Sequence, residues 1–237
     1  MRTALAASFA ACTIAIAGSP ASGAAHHFGP AEGGLQAGSR SSLLTTPGAL
    51  STLVTLPVTP RDSPTKRGYE RAAFGSRWSD VDGNGCNQRD DVLLRDAVAG
   101  TVKVARQGRC PHDVIGGTWI DPYSGRRLVF DNLKDPASAQ AIQIDHVVPL
   151  AEAWISGAAT WGDGKRRLFA NDLDALLAVD GVINARKGDG DPAAWRPKKS
   201  YQCEYARRWI GIKARWELSL DASERRALVE MISTCTA

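Results

Sequence analysis

Residues 143–154 read QIDHVVPLAEAW, and they place an Asp-His pair, Asp145 and His146, at the end of a short apolar run with Pro149 close behind. A carboxylate beside an imidazole offers a hard-metal ligand and a general base on neighbouring residues. On an extended strand such neighbours point to opposite faces, so both can serve one site only where the strand ends or twists. Val147, Val148 and Pro149 provide that ending. After Pro149 the pattern turns helical, with Trp154 on an apolar face and Gly157 as its stop. Upstream, residues 118–130 (TWIDPYSGRRLVF) read as a hairpin around a turn from Pro122 to Gly125, and Ala141 to His146 as a further strand. Downstream come a helix from Lys165 to Ala170, a strand from Leu176 to Val179, and a short helix. That helix carries Asn184 and Lys187 three positions apart, hence on one face, and Gly188 ends it.

The chain has 237 residues, 29 Lys+Arg against 25 Asp+Glu (net charge +4) and 43% hydrophobic residues. That suffices for one ordinary domain with a core plus extensions, and it permits a polyanionic partner without demanding one. Residues 1–25 have the form of a secretory signal: Arg2, an apolar run from Ala4 to Ala17, then small residues that allow cleavage after Gly23 or Ala25. The run is too short to span a bilayer, so no membrane attachment is expected after cleavage. Residues 26–66, rich in Gly, Ser, Thr and Pro, read as a disordered lead-in, with order beginning near Tyr69 and the domain occupying 67–237.

Leaving aside Cys12 in the signal, four cysteines remain, an even number in an exported chain, so disulfides are expected. Of three connectivities, Cys86 with Cys110 and Cys203 with Cys235 keeps each bridge on its own side of the central motif. No Cys-x-x-Cys pair supports a zinc site. Asp80, Asp82, Asn84 and Gly85, with Asp91 at the twelfth place, match the oxygen spacing of a calcium loop. Two readings stay open there: a separate structural Ca2+, or a polar turn held by Cys86.

Asp145-His146, Pro149 and the Asn-x-x-Lys-Gly element from Asn184 to Gly188 together resemble the HNH nuclease motif, the ββα-metal or His-Me finger. More closely, 143–197 and the Cys203 and Cys235 tail resemble the secreted HNH endonucleases of actinomycetes, which are related to the C-terminal domain of GmrSD-type restriction enzymes. The resemblance implies a single disulfide-stapled α+β domain with a ββα-metal core. It further implies that Asp145 and Asn184 hold one divalent ion, Mg2+ first and Mn2+ or Ca2+ as alternatives, and that His146 is the general base. Lys187 would steady the phosphate, and the products would carry 5′-phosphate and 3′-hydroxyl ends. The middle Asn of the motif falls on Ala175, nine residues before Asn184. Its task of holding the general base passes to Asn171, to Asp174 or to main-chain groups.

Residue chemistry agrees with that implication. Phosphodiester hydrolysis needs an activated water and charge relief on the phosphate and leaving oxygen, and an oxygen-ligated ion suits magnesium, manganese or calcium over zinc. Between Arg196 and Arg215 stand seven basic residues and one acidic one, Glu204. Tyr205, Trp209 and Ile212 follow a helical period and read as core, which leaves Arg207, Arg208 and Lys213, with Arg186, for the phosphate backbone. A last helix is expected from Ala222 to Ile232. The expected partner is nucleic acid, DNA before RNA, met outside the cell by a monomer with low sequence selectivity. The rivals are a non-cutting nucleic-acid-binding module and a calcium-dependent extracellular protein.

Overall fold

The computed structural model describes residues 43–60 and 68–235. The signal sequence, the lead-in up to residue 42 and residues 61–67 lie outside the described residues. Two sheets and eight α-helices are present among the described residues. In the three-stranded sheet, β2 (Cys110–Ile120) lies between β1 (Lys103–Gln107) and β3 (Arg127–Phe130), all antiparallel. The second sheet is a ribbon of β4 (Ile142–His146) and β5 (Leu176–Asp180), with Asp145 opposite Leu177 and His146 opposite Leu176. Helix α6 (Gly181–Lys187) follows β5 without a loop.

The pleat of the ribbon explains why Leu176 to Val179 is apolar throughout. Ile142, Ile144, Leu176 and Ala178 pack with Val92, Leu93, Val114 and Trp119. Leu177 and Val179 join Val147, Val148, Tyr205 and Trp209 in the larger core. A strand buried on both faces has no solvent side on which polar residues could alternate. Asp180 caps α6 by accepting from the N–H groups of Val182 (2.8 Å) and Ile183 (3.3 Å). Gly181 is required because a Cβ there would lie 2.2 Å from the Gln140 carbonyl oxygen, and Gly188, at φ 53°, ends the helix.

The ribbon is framed by α2 (Gln88–Asp96) on one side and, on the other, by α4 (Leu150–Ile155), α5 (Asp163–Ala170), α7 (Gln202–Arg215) and α8 (Ala222–Ile232). A short α3 (Pro136–Ala141) leads into β4. Both expected disulfides are present, Cys86–Cys110 and Cys203–Cys235. The second ties α7 to the end of α8.

The expectation of a disordered lead-in from 26 to 66 fails for residues 43–60. Helix α1 (Thr46–Thr55), capped by Thr45 with Pro47 in its first turn, packs on α7 and α8 through Ala49 and Leu53, both buried. Val58 then bridges Leu220, and Thr59 N–H donates to the Leu220 carbonyl at 2.8 Å. Ser and Thr lower the average hydropathy of this segment, yet two apolar residues four apart suffice when a ready surface exists to receive them. Leu53→Ala is expected to destabilise the domain by about 2–5 kcal/mol, read by urea unfolding. A loss below about 0.5 kcal/mol would show that α1 is dispensable.

Candidate functional site

The site gathers at the open end of the β4–β5 ribbon, where β4 stops and α6 runs alongside it. Asp145 and His146 leave the strand on opposite sides, as strand geometry requires. On the inner side Asp145 is buried, its two carboxylate oxygens each 2.9 Å from Lys187 Nζ. The Tyr123 hydroxyl also donates to Oδ2, at 2.5 Å. Lys187 donates further to the His146 main-chain carbonyl at 2.8 Å. Burial pushes the Asp145 carboxyl above its ordinary range against the pull of Lys187 and Tyr123, and burial pushes the Lys187 ammonium down against the pull of Asp145. Tyr123 is delivered by the β2–β3 turn. There Asp121, fully buried, accepts from the N–H groups of Tyr123 (3.4 Å), Ser124 (2.9 Å) and Asp180 (3.3 Å), so one carboxylate locks that turn to the end of β5.

On the outer side His146 is half-buried. Its Nε2 lies 2.8 Å from the Ala170 carbonyl oxygen at the end of α5. A carbonyl can only accept, so Nε2 carries the proton and Nδ1 presents its lone pair. Nδ1 has no hydrogen-bond partner among the described residues. Burial, with smaller pushes from the Arg71 and Lys187 charges, lowers the His146 pKa to about 4 against the partial support of Ala170. The ring is therefore neutral at physiological pH.

Two residues support that ring from outside the ribbon. Trp78 lies parallel to it, 6.3 Å between centroids and 11° between planes. Its backbone sits at φ 56°, a left-handed conformation that costs a bulky residue about 1–3 kcal/mol. Asn171 helps to hold that conformation: its Oδ1 accepts from Ser79 N–H at 3.1 Å while its Nδ2 donates to the Arg167 carbonyl at 2.9 Å. Buried Asn171 thus joins the Trp78–Ser79 segment to the end of α5, next to the carbonyl that orients His146. Asp174, the other candidate for this task, pairs with Arg215 at 2.7 Å instead. The main chain contributes as well, since the Ala175 carbonyl accepts from Val147 N–H at 2.9 Å.

The expected ligand pair meets a different register. Asn184 Nδ2 donates to Gln143 Oε1 at 2.8 Å, one strand repeat before Asp145, while Lys187, one helical turn after Asn184, takes Asp145. Because α6 runs beside β4, partners three apart on the helix match partners two apart on the strand. Asp145 and Asn184 therefore each have their own neighbour, and the cation beside Asp145 is a lysine ammonium. A carboxylate and an amide oxygen are still the donor kinds that a hard divalent ion takes. Asn184 Oδ1 has no partner among the described residues. An ion held by both would have to displace the Lys187 ammonium from Asp145.

Other expected contacts change too. Lys187 is buried and cannot steady an external phosphate from this position. Lys213 is fully buried, 2.7 Å from both Glu152 and Glu224, and is no part of a groove. Arg208 pairs with Glu204 at 3.1 Å, and Arg207 donates to the Leu44 carbonyl and anchors the approach to α1. Arg186 is exposed on α6, beside the site. Arg71, which no motif or spacing singles out, is half-buried and near enough to His146 to disfavour its protonation.

The loop of Asp80, Asp82, Asn84 and Asp91 does fold upon itself. Asn84 Nδ2 donates to Asp82 Oδ2 (3.1 Å) and Asp91 Oδ1 (3.0 Å). The sulfurs of Cys86 and Cys110 lie close to His112, but both are consumed in a disulfide and offer no thiolate to a metal.

The strand–strand–helix unit thus carries a neutral, carbonyl-oriented histidine beside a buried carboxylate. Residues 88–231 match the family described as GmrSD restriction endonucleases, C-terminal domain, and the chain belongs to that family. It is also 40% identical over 189 residues, 78% of this chain and 82% of the relative, to an "Uncharacterized secreted protein" of Arthroderma benhamiae (strain ATCC MYA-4681 / CBS 112371). No solved structure matches. Among the described residues no helix is long and apolar enough to cross a membrane.

Proposed function

We propose that this chain is an exported, metal-dependent HNH endonuclease that hydrolyses phosphodiester bonds in nucleic acid, DNA first, with little sequence selectivity. The observation that carries the proposal is the orientation of His146, whose Nε2 proton is committed to the Ala170 carbonyl while Nδ1 remains a neutral acceptor. In this reading Nδ1 takes the proton from the attacking water, and its lowered pKa keeps it available in acid and neutral media. Asn171 and Trp78 act as positioning residues for the ring. Asp145 and Asn184 would hold the divalent ion, Mg2+ before Mn2+ or Ca2+, which when bound relieves charge on the phosphate and the leaving oxygen. Arg71 and Arg186 supply positive charge on the open side for the phosphate backbone. The secreted relative and the form of residues 1–25 support export.

The test is plasmid incubated with purified chain and divalent ion, with and without chelator. Metal-dependent nicking is the expected result. Binding of plasmid without nicking under every ion tried would replace this reading with the non-cutting module.

A further inference from the structure

Three buried side-chain atoms lack a hydrogen-bond partner among the described residues: Gln88 Nε2, Gln88 Oε1 and Asp91 Oδ2. All three belong to the first turn of α2, at the end of a segment in which Asp80, Asp82, Asn84, Cys86, Gln88 and Asp91 occupy positions one, three, five, seven, nine and twelve. Those are the ligand positions of a twelve-residue calcium loop, with Gly85 at the sixth place, where a sharp turn is required. Gly85 has φ 93°, and a Cβ there would lie 2.7 Å from the Arg109 carbonyl oxygen.

A buried carboxylate oxygen without a donor costs free energy of the order of a lost hydrogen bond, and a charged one costs more. The Asp91 side chain is 8% exposed. Its Oδ1 receives His112 Nε2 at 2.7 Å and Asn84 Nδ2 at 3.0 Å, so the carboxyl is turned toward the loop. Oδ2, on the same carboxyl, has nothing. Asn84 Nδ2 also touches Asp82, which puts the partial positive charge of an amide between two carboxylates. A cation is the group whose charge and ligand demand answer all of these at once.

We infer that residues 80–91 form a calcium-binding loop, with carboxylate oxygens of Asp80, Asp82 and Asp91, the amide oxygen of Asn84 and the main-chain carbonyl of Cys86 as ligands. Gln88, three residues before Asp91 on α2 and so on the same face, would complete the set directly or through water. The oxygens of Asp80, Asp82 and Asp91 do not all lie within 4.8 Å of one another, so binding draws them together, and the Asn84 amide turns over, exchanging its contacts to Asp82, Asp91 and the Cys86 N–H for the ion. An all-oxygen set on a flexible loop suits Ca2+, whereas Mg2+ demands a tighter octahedron and retains its water. The Cys86–Cys110 bridge pins the loop at its midpoint, so part of the ordering is done before the ion arrives. The loop begins two residues after Trp78, and Ser79 is tied to Asn171, so the ion would also stiffen the segment that lies against His146. The binding itself does not depend on the nuclease reading.

The test uses the full, disulfide-intact chain stripped with chelator. Millimolar Ca2+ is expected to raise the melting temperature by about 5–10 °C, and Mg2+ by much less. Asp82→Asn and Asp80→Asn should abolish the shift, and Asp145→Asn should retain it. A shift that survives Asp82→Asn, that Mg2+ reproduces in Asp145→Asn, or that vanishes in Asp145→Asn overturns the assignment. If the loop variants do not fold, wild-type protein is titrated with Tb3+ under tryptophan excitation, because Trp78 adjoins the loop. Sensitised emission displaced by Ca2+ and not by Mg2+ supports the site, and absence of emission sinks it.

Discussion

His146→Ala is expected to slow phosphodiester cleavage by about 10²–10⁴-fold, the usual contribution of a positioned general base. The substitution removes a half-buried ring without opening the main core, so the variant should still melt cooperatively. The pH dependence discriminates further. A histidine of ordinary pKa would lose activity below about pH 6.5, whereas His146, lowered to about 4, should keep the wild-type rate nearly level down to about pH 5. The same shift bears on stability with a definite sign. Between pH 6.5 and 4 the unfolded chain binds a proton that the folded one refuses, so His146 makes the fold less stable as pH falls through that window. The loss amounts to about 3 kcal/mol and is absent in the alanine variant. Rate profiles with saturating metal, and urea unfolding of both proteins at pH 7 and pH 4.5, measure the two effects. An acid limb near 6.5, or identical pH dependence of stability with and without the imidazole, would show that the ring is solvated and not held by Ala170.

What could be read from the sequence follows which forces are local. The hairpin about Pro122–Gly125, the β4 strand, the strand at Leu176 and the helix from Ala222 to Ile232 all announce themselves through turn residues and period, and each is present. The cysteine pairing followed from position along the chain and is present. Asn171 was selected only as a substitute for the Asn missing at Ala175, and its bridge between Ser79 and α5 is long-range, invisible to spacing rules. Tyr123 and Trp78 reach the site through loops from distant segments, and nothing in their neighbourhoods marks them. The pairing of Asp145 with Lys187 rather than Asn184 depends on how far α6 slides along β4. A shift of one helical turn exchanges the partners without altering any sequence pattern. Helix α1 was missed because its stability comes from the surface of α7 and α8 and not from its own composition.

Lys213 is the case in which a charge pattern misleads, and its substitution is expected to have the largest effect on stability. Arg207, Arg208 and Lys213 look alike as text, but Lys213 follows Trp209 by one turn and shares its buried face. Its ammonium lies 2.7 Å from Glu152 and 2.7 Å from Glu224 and donates to the Ser219 carbonyl at 2.8 Å; Glu224 also accepts from Trp209 Nε1 at 2.5 Å. Two carboxylates share one cation, and burial, with the Glu152 charge, pushes Glu224 up to about 7 although Lys213 pulls it down. Lys213→Met removes the pull and leaves two buried acids facing each other, at an expected cost of about 3–5 kcal/mol near pH 8. A carboxyl whose folded pKa is raised stabilises the fold below its unfolded value and loses that contribution as pH rises through the folded one. The variant should therefore recover part of its deficit at pH 5, where both acids can be protonated. Adding Glu152→Gln and Glu224→Gln should restore stability at pH 8, because the amide of residue 224 still accepts from Trp209. Urea unfolding at the two pH values decides the matter: a loss below about 1 kcal/mol, or one independent of pH, would mean that the cluster is hydrated. While folded, the triple variant should bind DNA with an unchanged salt dependence, since a lysine enclosed by two glutamates releases no counterion from the phosphate backbone.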